Sequence, residues 1–379
     1  MHHITRLGIT LAAGIAMAAC APANTTPPVK PNTPLPVAWQ TRVGDSLNEI
    51  ALHAGMAFVV NETNRLIALD AKTGAKQWEA NLNLVNSRQN AVGVDGGRVF
   101  ALTGREDVSV VAFDAKTGRQ LWTASTGQHK GTHHPTASDG RVFFDAPAAD
   151  GEMEVRAVDA ATGKDAWSFR LNGSPATGMV AENGALYLGV NQWDGATVKA
   201  RRVIALDAAT GALRWEAPLD LDVNGGLSAD ADRVYIGMNG GVVQARDAAT
   251  GEPAWTARAG GRLNTAPSVI DRVAYAGNSD GMMTALNAGD GTQLWQNNVG
   301  SAVLTQVAGA DSVVYFGTND GTLFALDAAS GAMKWQVQSP ERRPVVPGPY
   351  VPAMGTTPAV FEDLLLFFNG DALNALKLR

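Results

Sequence analysis

One segment recurs along this chain and constrains its fold more than any other feature. LIALDAKTGAKQW ends at Trp78, VAFDAKTGRQLW at Trp122, VRAVDAATGKDAW at Trp167 and VIALDAATGALRW at Trp215. VQARDAATGEPAW, MTALNAGDGTQLW and LFALDAASGAMKW follow, ending at Trp255, Trp295 and Trp335. Each Trp stands eight positions after an Asp or Asn: Asp70, Asp114, Asp159, Asp207, Asp247, Asn287 and Asp327. Successive tryptophans lie 44, 45, 48, 40, 40 and 40 residues apart. A period of this length has room for four short strands, the mark of a propeller blade.

Each position of the repeat has a physical task. In Ile67-Ala68-Leu69-Asp70 apolar and small residues alternate as along a half-buried strand, and Gly74 falls where a hairpin turns with positive φ. Asp70 and Thr73 are placed to hydrogen-bond the turn backbone and set the register of the strand carrying Trp78. The indole then fills space between blades. Charged residues make up only 17% of the chain while glycines number 41, a balance that suits short strands and tight turns.

Counting to the end of the chain predicts closure. Asp371-Ala372-Leu373-Asn374-Ala375-Leu376 repeats the strand before the turn, but the sequence stops three residues later, with no turn and no Trp. The missing strand lies at the other end, where Val37-Ala38-Trp39-Gln40 places Trp39 in phase, 39 residues before Trp78. The expected fold is therefore all-β: an eight-bladed β-propeller over 37–379, its last blade closed by the N-terminal strand, so that no sheet edge is left open at the ring junction. Trp193 is the one tryptophan out of phase, in a longer hairpin spanning Asn191 to Lys199.

The first 36 residues read as export machinery. Arg6 precedes an apolar stretch from Leu7 to Ala19, too short for a stable membrane span and ending in Met17-Ala18-Ala19-Cys20. Residues 1–19 are read as a signal peptide and Cys20, the only cysteine, as a lipidation site; the alternative is a soluble exported protein with one spare thiol. Residues 20–36 hold six prolines and few apolar side chains, a tether of on the order of 50 Å when extended. Net charge −6 and pI near 5.5 argue against a nucleic-acid partner.

On these residues the chain resembles the PQQ-like (WD-type) repeat propellers, and Met17-Ala18-Ala19-Cys20 resembles a bacterial lipobox, with Met where Leu is commoner. Length, lipobox, tether and blade number are most similar to the BamB lipoproteins, which assist assembly of outer-membrane β-barrels. That resemblance implies a non-catalytic, lipid-anchored, monomeric scaffold. It would face the periplasm from the outer membrane and contact envelope proteins such as a BamA-type barrel protein. In BamB proteins a Leu-Arg loop and a neighbouring Asp-rich loop make this contact. Here the corresponding segments carry Arg170 and Leu171, with Asn172 where that Arg would fall, and Asp220 and Asp222. Quinoprotein dehydrogenases, which bind PQQ and calcium, share only the repeat; no adjacent cysteine pair is present, and no cofactor or metal is expected. A PQQ-dependent oxidoreductase and a surface peptide- or glycan-binding module are the alternative functions.

Loops joining one blade to the next converge on one face and are the expected binding surface. They contain His133 and His134, weighed as metal ligands and read as a solvated polar loop because no nearby Cys or carboxylate completes a site. They also contain Arg262 and Asn264, and the Pro-rich segment 338–355 with Arg342, Arg343 and Tyr350, residue types favoured at interfaces.

Overall fold

The computed structural model describes residues 35–44, 49–83, 92–104, 108–126, 135–172, 174–194, 197–338 and 356–378. Among these there is no helix, and thirty-two strands, numbered in chain order, form eight four-stranded antiparallel sheets. The first seven blades are β2–β5 (51–81), β6–β9 (93–125), β10–β13 (136–170), β14–β17 (176–218), β18–β21 (223–258), β22–β25 (268–298) and β26–β29 (308–338). Each runs in sequence order from innermost to outermost strand. The eighth combines β30–β32 (359–377) with β1 (Val37–Arg42) as its outermost strand.

This is the closure expected from the phase of Trp39. β1 pairs antiparallel with β32 (Ala372–Lys377), setting Trp39 opposite Ala375 and Thr41 opposite Leu373. Thr41 Oγ1 reaches on to the carbonyl of Gly74 in the first blade, at 2.7 Å. One strand thus joins both ends of the ring.

The repeat residues do what their chemistry suggests. Asp70 Oδ1 accepts from the Thr73 backbone N–H and the Thr73 hydroxyl, both at 2.8 Å. Equivalent pairs form at Asp114–Thr117, Asp159–Thr162, Asp207–Thr210, Asp247–Thr250 and Asp327–Ser330. In the sixth copy Asn287 accepts from the N–H of Gly289, while Asp290 takes over the hydroxyl of Thr292. The turn is kept although the carboxylate has moved.

Between blades six of the seven repeat tryptophans are seen gripped by the following blade. The indole N–H groups of Trp78, Trp122, Trp167, Trp215, Trp255 and Trp295 donate to the carbonyls of Ala115, Ala160, Ala208, Ala248, Ala288 and Ala328, at 2.9 to 3.1 Å. The ring also lies flat against the next motif glycine: a Cβ on Gly118 would sit 2.6 Å from Trp78. Glycine is therefore needed twice at this position, for its positive φ and for close approach.

Within the blade, a central Ala separates Trp from an aromatic on the second strand. Phe58, Ala68 and Trp78 align across three strands, and the two rings meet over the small residue at 5.8 Å. Phe100, Phe143, Tyr187, Tyr235, Tyr275 and Tyr315 play the same part with their tryptophans, at 5.7 to 5.9 Å. Burying such a ring contributes roughly 2–3 kcal/mol. The closing blade differs: Leu366 holds the aromatic position, and Trp39 Nε1 is buried without a hydrogen-bond partner.

Two predictions follow from these contacts. Gly140→Ala, where φ is +75° and nothing lies within 4 Å of the added carbon, should cost about 1–2 kcal/mol from backbone strain alone. Gly118→Ala adds a collision with Trp78 and should cost roughly 3 kcal/mol or more in urea denaturation. Equal losses would mean that the grip contributes nothing. The second concerns acid. The Arg214 guanidinium, with the Thr210 hydroxyl, holds the Asp207 carboxyl at about 2. Its stabilisation is complete above an unfolded carboxylate's pKa of ~3.9 and is lost as pH falls toward 2. The stability advantage of the wild type over Asp207→Asn, measured from pH 6 to pH 2.5, should therefore shrink below about pH 4.

Candidate protein-binding face

Antiparallel blades with short hairpins place their loops on two faces. The motif turns occupy one. The other carries the blade-to-blade connections and the hairpins between second and third strands, and it is here that sequence reasoning places partner-binding residues. Most described connections on this face are long, such as 259–267 and 299–307. Those flanking the fourth blade are short, 171–175 and 219–222, and between them stands the longest hairpin, β15 (Ala185–Asp194) with β16 (Thr197–Asp207).

This hairpin is fastened on both sides. Alternate residues of β15 point to opposite neighbours. Gln192 donates to the carbonyl of Asn172 in the preceding connection, and Ser174 Oγ accepts from the Trp193 N–H. On the other side Asn191 forms a buried two-way clasp with Val223, donating to its carbonyl at 2.8 Å and accepting its N–H at 3.0 Å. Arg201, opposite Asn191 on β16, forms an ion pair with Asp222. Arg202 points the other way, to the Leu171 carbonyl at 2.8 Å and Glu216 at 2.9 Å.

Further arginines extend this bracing between blades. Arg156 of the third blade donates to the Ser125 carbonyl at the end of the second, and Arg246 of the fifth donates to the Pro218 carbonyl of the fourth at 2.9 Å. Arg246 is buried, and two more of its donors reach Gln244 and the Gly251 carbonyl. Burial lowers its pKa, but its hydrogen bonds account for a cation held in the interior. The second to fifth blades are thereby cross-braced by side chains as well as by tryptophans.

The sequence-derived residues fall on this face in three groups. Arg170 is exposed and bound to Asp150 of its own blade at 2.5 Å; the pairing lowers the Asp150 pKa and raises that of Arg170. Leu171 corrects the expectation of a contact residue: it is 0% exposed and packs with Phe143, Val155 and Leu188 beneath the connection. Its polar neighbours made it look like a surface residue, but the chain turns it inward. Asp220 is exposed, whereas Asp222 is half-buried against Arg201. Arg262 and Asn264 lie one connection further on, where Asn264 Nδ2 donates to the Val303 carbonyl at 3.2 Å. Cys20, His133, His134, Arg342, Arg343 and Tyr350 lie outside the described residues. Among those described, no three His, Cys, Asp or Glu side chains are grouped as metal ligands.

Asp150, Asn191 and Arg201 were missed by sequence reasoning. Asn191 and Arg201 lie in the longest period of the repeat, the 48 residues from Trp167 to Trp215 that accommodate the long hairpin, and Asp150 lies in the 45-residue period before it.

A sequence profile described as "Outer membrane protein assembly factor BamB" matches residues 36–91, 81–219 and 199–370. No curated protein matches by sequence. Among solved structures, BamB from Moraxella catarrhalis is similar with a TM-score of 0.67 at 17% identity, covering 90% of this chain and 99% of that one. A computationally designed protein, Ika8, has a TM-score of 0.65 at 18% identity over 88% of this chain and all of its own. Quinohemoprotein alcohol dehydrogenase from Comamonas testosteroni has a TM-score of 0.68 at 14% identity, covering 91% of this chain and 76% of that one. At these identities the structural likenesses establish the fold.

The geometry predicts that Asn191→Ala, which strips both partners from the Val223 backbone, destabilises the protein by about 2 kcal/mol. Faster proteolytic cleavage within 191–201 should accompany the loss, and uniform protection there would count against the clasp.

Proposed function

Because the chain belongs to the BamB family of outer membrane protein assembly factors, we propose that it is a non-catalytic envelope lipoprotein whose propeller serves as a protein-binding scaffold in outer-membrane β-barrel assembly. The observation that carries this reading is the extent of the match. The family profile runs through the propeller, and a BamB of known structure is covered almost end to end. In this reading Cys20 carries the lipid, residues 20–36 tether the propeller to the outer membrane from the periplasmic side, and the connection face meets a BamA-type barrel protein. Arg170, Asp220 and Asp222 are the proposed polar contacts near the fourth blade. Arg262 and Asn264 belong to the next blade connection, and His133, His134, Arg342, Arg343 and Tyr350 are further proposed contacts read from the sequence. The short, bonded connections beside the fourth blade support a docking role because a surface already ordered loses little entropy on binding.

A second reading draws on the similar TM-score of the quinohemoprotein alcohol dehydrogenase. Such an enzyme would bind PQQ, and the two readings separate in one preparation. The protein is extracted from native envelopes in mild detergent after crosslinking. Scaffold function predicts a BamA-type barrel protein in the crosslinked product, mass-spectrometric evidence of acyl chains on Cys20, and loss of membrane association in Cys20→Ser. Dye reduction by the purified protein supplied with PQQ and calcium, without barrel-protein crosslinks, would reverse the assignment.

A further inference from the structure

The fourth blade presents a row of side chains toward the fifth. Tyr187, Gly189 and Asn191 alternate along β15 and share one face, and Trp193 follows past a register shift between Gln192 and Trp193. Tyr187 is buried and donates to the Ala248 carbonyl, a Cβ on Gly189 would collide with Leu227, and Asn191 clasps Val223. Trp193 lies about 7 Å beyond Asn191 along the strand. It passes the edge of the fifth blade and is 51% exposed. Beside it runs the connection 219–222, whose Leu221 is also exposed, at 36%. Arg201 occupies Asp222, leaving Asp220 as the exposed carboxylate of that connection.

The hairpin is braced from both sides, yet its outermost aromatic stays in water. The other eight tryptophans belong to the repeat and its closure, and this one stands outside that register. A large, rigid aromatic on a fixed strand, next to an aliphatic side chain and rimmed by charge, has the composition of an interface anchor.

We propose that Trp193 and Leu221 form an apolar anchor point for the scaffold's protein partner, and that Asp220 selects a segment in which an apolar side chain adjoins a Lys or Arg. This proposal rests on the scaffold function above and adds a residue, Trp193, that the Arg170 and Asp220–Asp222 segments do not include. The apolar side chain packs on the indole and Leu221, while the adjoining cation meets Asp220 at the rim.

The test uses the full-length protein in detergent and the purified periplasmic region of the BamA-type barrel protein from the same organism. Trp193→Ala should weaken binding by about tenfold or more, with an unchanged melting temperature because the side chain is largely outside the core. Trp193→Phe should lose less. Asp220→Asn should weaken binding and flatten its dependence on salt. Iodide quenching supplies a direct readout: the partner should protect one exposed indole in the wild type and none in Trp193→Phe. Wild-type affinity in Trp193→Ala, with binding lost in Arg170→Ala or Asp222→Asn, would overturn the anchor and leave the scaffold function standing. Absence of binding by the wild type would overturn both.

Discussion

The contact on which the rest of this structure depends is the grip of one blade on the tryptophan of the one before it. An indole lies flat on a glycine that has no room for a Cβ, and its N–H is satisfied by an alanine carbonyl at the same turn. The Asp–Thr bonds that shape the turn therefore act across the blade boundary, because they place both the glycine and the carbonyl. A single isolated blade would leave a wet indole on one side and an empty turn on the other. A closed ring gives each blade a neighbour on both sides, and the eighth blade takes its outer strand from β1 to complete it.

Closure is also where the repeat is least well formed. Trp39 keeps its seat on Gly74, but its N–H finds no acceptor and its aromatic companion is replaced by Leu366. What compensates is covalent economy and backbone pairing: five register pairs between β1 and β32 join chain ends that no turn connects. The Thr41 hydroxyl bond to the Gly74 carbonyl adds a link into the next blade that the indole does not supply.

The architecture was legible because its chemistry is local. Asp, Thr, Gly and Trp fall within nine residues, so turn type, blade number and the phase of Trp39 can be read directly from the sequence. The aromatic companions were not legible. They alternate between Phe and Tyr and precede their tryptophans by intervals that vary with hairpin length, from Phe58–Trp78 to Tyr187–Trp215. The candidate face was read in part. Leu171, Asp220, Asp222, Arg262 and Asn264 lie in described blade connections, but Leu171 proved to be a core plug, and the partners of Arg170 and Asp222 lie some twenty residues away in sequence. No local pattern reports such pairings: Arg170 meets Asp150 across the hairpin of its own blade, and Arg201 meets Asp222 only where the fourth blade lies beside the connection to the fifth.

Stacking also explains where function can reside. The motif residues are committed to neighbouring blades, so substitutions there are felt at once in the ring. The connections on the opposite face carry no such obligation, and their lengths differ from four residues between the fourth and fifth blades to twenty between the seventh and eighth. A frame of equal spokes with unequal connections can host unrelated activities, consistent with a fold shared by BamB and a quinohemoprotein alcohol dehydrogenase. Among the described residues the shortest connections flank the fourth blade. There the longest described hairpin is clamped by Asn191, Arg201 and Arg202, while its aromatic Trp193 stays half exposed. Rigidity so placed does little for ring closure, which the tryptophans already supply, and is of most use to a partner that must find the hairpin in one position.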